Sequence, residues 1–232
     1  MEKLYKRFLA FIIVPVIIAA FPFLVFANTG AAAPYDWYFK PEKDNSQPQC
    51  IPEADFIDEY NTVYLGSADT PTLYLTFDAG FDNGYHEKIL DTLKEKNVKA
   101  AFFVDGNFVK KNPELVKRMD AEGHLVCNHS LNHPDMTKYT SFSEYEKQIK
   151  GWEELITQLG LTPRKYFRFP SGRFSEQALE YNEQLGLTTV FWSFAYYDWE
   201  INNQPSHEAA KEKIYSRVHN GAVLLLHSTS KT

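Results

Sequence analysis

From Thr72 onward the chain alternates short apolar runs rich in β-formers with capped amphipathic segments, and nothing else in it restricts the fold as much. The runs are Leu73 to Phe77, Ala100 to Val104, His124 to Asn128, Tyr166 to Phe169, Thr188 to Phe194 and Ala222 to Leu226. Between them lie helices with readable ends. Asn112 followed by Pro113 opens one that stops at Gly123, Ser175 opens one that stops at Gly186, and Ser206 opens one that reaches Gly221. Ser141 with Glu144 is a capping box for a segment that carries Trp152, Leu155 and Leu159 and ends at Gly160. Repeated βα units of this kind predict an α/β fold, either a doubly wound sheet or a barrel, and both put their chemistry at the carboxyl ends of the strands.

Each of those ends carries a polar residue that a plain strand does not need: Asp78, Asp105, His129, Arg168, Asp198 and His227. Asp105 stands before Gly106 and reads as a turn residue. His129 and His133 stand four apart, which on a helical turn would put both imidazoles on one face and let them grip one divalent cation. Ser130 and Leu131 occupy the positions where a zinc protease carries its glutamate, so any base must come from elsewhere. His86, His124, His207 and His219 fall on predicted helices or at a strand start and read as solvent-facing or capping. The set as a whole suits metal-assisted hydrolysis. Gly-x-Ser-x-Gly, Gly-x-Gly-x-x-Gly and the phosphate-binding Gly-Lys-Ser/Thr loop are all missing, which removes the serine-hydrolase, hydride-transfer and phosphoryl-transfer readings.

Composition narrows the partners. A net charge of −6 with no basic cluster longer than Lys110-Lys111 excludes a nucleic-acid surface. Lys3, Lys6 and Arg7 precede an apolar run from Phe8 to Ala27, so residues 1–27 are expected to direct the chain out of the cytoplasm, as a cleaved signal peptide or as an uncleaved membrane anchor. Residues 28–71, with five prolines and little periodicity, are expected to form an extension packed on the main domain, 72–232, with Trp37, Tyr38 and Phe39 buried against it and a short helical patch around Phe56 to Tyr60. Cys127, in an apolar strand, reads as a buried thiol, with a Cys50–Cys127 disulfide as the alternative in an exported chain.

Five stretches in order resemble the motifs of the NodB-type polysaccharide deacetylases: Thr76-Phe77-Asp78-Ala79-Gly80, His129-Ser130-Leu131-Asn132-His133, Arg168-Phe169-Pro170-Ser171-Gly172, Asp198-Trp199 and Leu225-Leu226-His227. Trp37 to Lys40, Tyr64-Leu65-Gly66 and Asp198 to Gln204 are similar, more narrowly, to the delta-lactam-forming peptidoglycan (muramic acid) de-N-acetylases of spore-forming bacteria. The resemblance implies a distorted (β/α) barrel that hydrolyses N-acetyl groups on a peptidoglycan glycan strand. It implies Asp78 as the general base, Arg168 as its ion-pair partner, His227 as the general acid and Asp198 as the group that raises the pKa of His227. By the same route His129 and His133 hold a divalent metal of zinc, manganese or cobalt type, Trp199 and Leu225 wall an acetyl pocket, and backbone near Ser171 and Gly172 donates to the oxyanion.

The first motif departs from the family pattern at one place, because Ala79 stands where a second, metal-ligating Asp is usual. An alanine cannot bind metal, so a metal held by two neutral histidines is expected to be weakly held. Asp82 replaces that ligand only if its loop turns inward, which is not expected. The implied substrate is N-acetylmuramic acid stripped of its stem peptide, on the way to muramic delta-lactam in a spore cortex. The alternatives are N-acetylglucosamine in peptidoglycan or a chitin-like polymer, and a non-catalytic glycan-binding relative, which Ala79 motivates. The expected address is extracytoplasmic, secreted or at the cell surface and including the forespore envelope, with membrane contact only through the N-terminal segment and a monomeric state. A barrel is also expected to run on beyond the five residues that follow His227, so the carboxyl end reads as truncated.

Overall fold

The structure is a computed structural model and describes residues 33–229 apart from Lys43. The expected export segment, 1–27, lies outside the described residues; among these no helix is long and apolar enough to cross a membrane.

Eight parallel strands form the central sheet: β1 (Thr62–Val63), β2 (Leu73–Ala79), β3 (Ala101–Val104), β4 (Leu125–Asn128), β5 (Tyr166–Phe167), β6 (Thr188–Val190), β7 (Phe194–Ala195) and β8 (Ala222–His227). Their spatial order is β7-β8-β2-β3-β4-β5-β6-β1, every neighbouring pair parallel. Six helices connect or flank them: α1 (His86–Glu95), α2 (Gly106–Lys111), α3 (Pro113–Ala121), α4 (Phe142–Gln158), α5 (Glu176–Gln184) and α6 (His207–Arg217). The sheet curls into a half-barrel whose two ends are stitched by bonds outside the regular ladder. The Phe191 amide donates to Val63 O at 2.8 Å, the Ser193 amide to Val223 O at 3.0 Å and the Gly66 amide to Gly221 O at 2.7 Å. This is the expected distorted (β/α) barrel.

Both faces of the sheet are buried, which is why its strands read as continuous apolar runs rather than alternating ones. On β3, Phe102 and Val104 point to a helical layer built on Leu90, Phe108, Val116, Met119 and Trp152. Phe103, between them, joins Cys127, Phe167, Val223 and Leu225 on the concave side. The helices start where the sequence signals them. Ser141, Ser175 and Ser206 accept hydrogen bonds at their Oγ from the Glu144, Ala178 and Ala209 amides. Asp105, expected to be a turn residue, instead caps α2 by accepting from the Phe108 amide at 2.7 Å.

The residues before β2 are less irregular than their composition suggests. Tyr35–Asp36 pairs antiparallel with Arg173–Phe174, and Phe39–Lys40 with Gln49–Cys50. The helical patch is a 3-10 segment, Pro52–Glu59. Thr62–Val63 then adds an edge strand to the main sheet, which the short, proline-rich context had hidden. Trp37 and Phe39 are buried, whereas Tyr38 between them faces solvent. Both cysteines are free thiols, and burial pushes the Cys127 thiol up to about 12.

Candidate active site

The carboxyl ends of β2, β4 and β8, with the loops after β5 and β7, open on one cavity of about 680 Å³. Asp78 and His227 are direct partners in the β2–β8 register, so a carboxylate and an imidazole sit side by side at its floor. Eight of the ten residues expected at the site line it: Asp78, His129, His133, Ser171, Gly172, Trp199, Leu225 and His227. The other two, Arg168 and Asp198, are buried behind the wall and reach it through Asp78 and His227.

Arg168 is wholly buried, and its guanidinium is spent on three acceptors. Nη1 donates to Asp78 Oδ1 at 2.8 Å, Nε to Val190 O at 3.0 Å and Nη2 to Phe191 O at 3.3 Å. Its Cζ lies 4.1 Å from the centre of the Phe103 ring, so the charge also rests on an aromatic face. Burial pushes the Asp78 carboxyl up, but the charge and hydrogen bond of Arg168, with the charge of His227, outweigh it and hold the group below the usual carboxylate range. His227 shows the mirror case. Burial opposes its charge, yet the hydrogen bond from Nδ1 to Asp198 Oδ1 at 2.8 Å, with the charges of Asp78 and Asp198, raises its pKa. Asp198 Oδ2 also accepts the His227 backbone amide at 2.6 Å, which fixes the ring's root as well as its tip.

The two histidines of the second motif meet, though not on a helical turn. Residues 129–133 are irregular, with Ser130 and His133 in the left-handed region at φ 69° and 55°. That bend is held by the Ser130 amide on Asn128 Oδ1 at 2.8 Å and by the His133 amide on Ser130 Oγ at 2.9 Å. The ring centres come within 4.9 Å. His129 Nδ1 donates to Arg168 O at 2.9 Å, which leaves Nε2 facing Asp78 Oδ2 at 3.6 Å. Burial depresses the His129 pKa to about 4, so the ring is neutral and its outer nitrogen carries a lone pair.

A neutral imidazole with its inner nitrogen bonded to a carbonyl is the form in which histidine ligates metal, so the pair fits a divalent cation. Ala79 adds no donor, and among the described residues no group of three His, Cys, Asp or Glu side chains converges on one point. Asp82 does not stand in for the missing ligand. It turns away, accepting from His86 Nδ1 at 2.8 Å and from the Gly84 amide at 3.0 Å.

Ser171 and Gly172 are consecutive left-handed residues at φ 57° and 68°. A Cβ at Gly172 would stand 2.6 Å from the Trp192 ring, so only glycine fits. Strain of this kind on a cavity wall persists only where its surroundings enforce it; here Trp37 does so, donating its backbone amide to Gly172 O at 2.8 Å and its indole to Trp192 O at 2.9 Å.

Sequence reasoning missed Phe81, Asp105, Trp192 and Thr229, which also line the cavity. Asp105 stands at a strand end, but its place before Gly106 gave it a sufficient reading as a turn residue. His86, His124 and His219, expected to face solvent or cap, are buried. His86 lies between Asp82 and the Ser228 hydroxyl, which meets Nε2 at 2.8 Å, and His219 Nε2 meets Ser193 Oγ at 3.0 Å. Each of these partners is remote in sequence or carries no pattern of its own.

The polysaccharide deacetylase family pattern matches residues 66–190. The chain is 41% identical over 199 residues to the peptidoglycan-N-acetylmuramic acid deacetylase PdaA of Bacillus subtilis, covering 85% of this chain and 76% of that protein. It is 34% identical over 174 residues to a peptidoglycan-N-acetylglucosamine deacetylase of Bacillus cereus, covering 75% and 62%. The solved structure of Bacillus subtilis PdaA, described as a family 4 carbohydrate esterase, superposes with a TM-score of 0.82 at 40% identity over 85% of each chain. With its five motif stretches gathered around one cavity and these likenesses along most of its length, the chain belongs to the polysaccharide deacetylase family.

Proposed function

We propose that the protein hydrolyses the N-acetyl group of amino sugars in peptidoglycan, with muramic acid that has lost its stem peptide as the substrate. The observation that carries this reading is the pair of oppositely tuned groups at the cavity floor: Asp78, whose anionic form Arg168 favours, beside His227, whose protonated form Asp198 favours. In the reaction Asp78 takes a proton from the attacking water as oxygen adds to the amide carbon. His227 gives its proton to the nitrogen as the carbon–nitrogen bond breaks, releasing acetate and a free amine. Backbone at Ser171 is the candidate donor to the developing oxyanion, since the Gly172 amide is already committed to Phe169 O at 3.0 Å. Leu225 and Trp199 supply an apolar wall for the acetyl methyl. His129 and His133 would hold a divalent cation of zinc, manganese or cobalt type, which when bound polarises the carbonyl and the water. With no carboxylate from position 79, its affinity is low.

The muramic acid preference rests on the likeness to the muramic acid deacetylase, and the likeness to a glucosamine deacetylase supports the second reading, N-acetylglucosamine. The non-catalytic alternative, motivated by Ala79, is disfavoured because an idle site has no use for a buried arginine and a buried aspartate serving two cavity groups. Residues 72–232 are read as the deacetylase domain, 28–71 as an extension packed on it and 1–27 as an export segment, which places the protein outside the cytoplasm, with the forespore envelope as the address if it makes cortex delta-lactam. The test is mass spectrometry of amidase-treated peptidoglycan incubated with the protein and added divalent metal. Loss of acetyl from peptide-free muramic acid is expected; no loss on either amino sugar overturns the reading.

A further inference from the structure

The cavity is lined by two carboxylates, and the chemistry above uses one. Asp78 is paired with Arg168, but no lysine or arginine lines the cavity to serve Asp105, which is only 4% exposed. A buried carboxylate without a cation is costly, so one in a cavity wall calls for positive charge from elsewhere. Asp105 does have a structural task, since its Oδ1 caps α2 by accepting the Phe108 amide at 2.7 Å. That task does not explain its charge, because asparagine or serine caps a helix equally well.

The place of Asp105 in the sheet identifies the charge it would meet. β3 lies between β2 and β4, so its carboxyl end stands between Ala79, which ends β2, and His129, which follows β4. On one side the Asp105 amide donates to Ala79 O at 3.1 Å. On the other the Gly106 amide donates to Ser130 O at 3.1 Å, and a Cβ at Gly106 would stand 2.5 Å from Leu131 O, so the second motif lies directly against this strand end. The carboxylate also leans toward the first motif, where a Cβ at Gly80 would stand 3.2 Å from Asp105 Oδ2. Burial, only partly offset by the Phe108 amide and by nearby His133, raises the Asp105 pKa. The position that lacks a ligand carboxylate and the two histidines thus flank a strand end that carries a carboxylate of its own.

We propose that Asp105 supplies the negative charge that position 79 lacks, standing at outer-sphere distance from a divalent cation held on His129 and His133. The inference rests on the metal reading of those histidines and deepens it by assigning the anionic partner of the site. Asp105 is not a direct ligand, since among the described residues its carboxylate and the histidines do not converge on one point. A carboxylate at that remove still strengthens binding, by accepting hydrogen bonds from the cation's water ligands and by offsetting its charge.

Isothermal titration of the full chain with zinc chloride tests this, with His129→Ala as the control for binding elsewhere. Asp105→Asn and Asp105→Ser both keep a capping oxygen and remove the charge, and each is expected to weaken zinc binding by about tenfold or more. Ala79→Asp is expected to tighten binding and to shrink the loss on Asp105→Asn to less than about threefold, because one carboxylate then does the work of the other. An affinity within about twofold of wild type in Asp105→Asn overturns the proposal, as does a loss that Ala79→Asp leaves undiminished. Zinc binding that depends on His129 but not on Asp105 overturns this proposal alone, whereas wild type that binds no zinc overturns the metal reading with it. Because binding is read without turnover, neither result depends on the identity of the sugar. Thermal denaturation of the metal-free variants checks that the cap, and with it the fold, is intact.

Discussion

Asp78 and His227 occupy paired positions and are driven to opposite protonation tendencies by partners that never touch the cavity. Replacing Asp198 by Asn removes the charge that lifts the His227 pKa. The basic limb of the kcat/KM profile is then expected to move to lower pH, with activity falling by roughly 10²–10⁴-fold. The same pair has a linkage consequence. A histidine whose pKa is higher folded than unfolded stabilises the fold below the unfolded value, and that contribution is lost as pH rises through the folded value. Urea denaturation at about pH 5 and about pH 9 should show Asp198→Asn destabilising the protein more at the lower pH. Arg168→Ala leaves a buried carboxylate without its cation and is expected to cost about 3–5 kcal/mol by the same measurement, with Asp78→Asn costing less. The gathering of these residues at one cavity was legible because they stand at strand ends inside ordered motifs. His86 and His219 were not, since their partners are assembled by tertiary contact: Ser228 is 142 residues from His86.

Among the elements, the strands were readable from apolar runs and the helices from their serine caps, but two local shapes departed from the pattern. The run Thr188 to Phe194 was expected as one strand, and it breaks after Val190. The carbonyls of Val190 and Phe191 turn to the Arg168 guanidinium, so a charge buried for the site interrupts a strand that propensity alone would continue. The second motif was expected as a helical turn; Asn128 and Ser130 supply local side-chain acceptors that hold the left-handed bend instead. The Ser171–Gly172 turn carries its own prediction. Gly172→Ala adds a methyl into the Trp192 ring at a positive φ and is expected to cost about 1–3 kcal/mol and to lower kcat, because Ser171 shifts with it. Differential scanning calorimetry and steady-state kinetics on the variant measure the two effects separately.

For the whole molecule, periodicity conveyed that helices and a parallel sheet would form but could not say how the curled sheet closes. Closure runs through Phe191 and Ser193, where the run read as one strand breaks, through Gly66, which has no strand signature, and through an edge strand drawn from a proline-rich segment. Trp37 ties that amino-terminal segment to the site, stacking on Phe191 at 4.3 Å with 15° between planes. Trp37→Ala is expected to cost about 3–5 kcal/mol, read as a lowered urea midpoint, and to weaken activity through the Ser171 turn it supports. The β2–β8 register has a further consequence. Asp78 and His227 are one strand spacing apart, about 4.8 Å, and that interval is set by the backbone ladder rather than by any loop. The two groups proposed to accept and donate the proton are thus insulated from changes at the rim, where Phe81, Tyr197 and Trp199 stand exposed. Chains built on this plan can exchange one sugar preference for another by altering loops alone, keeping the reaction while its recipient changes.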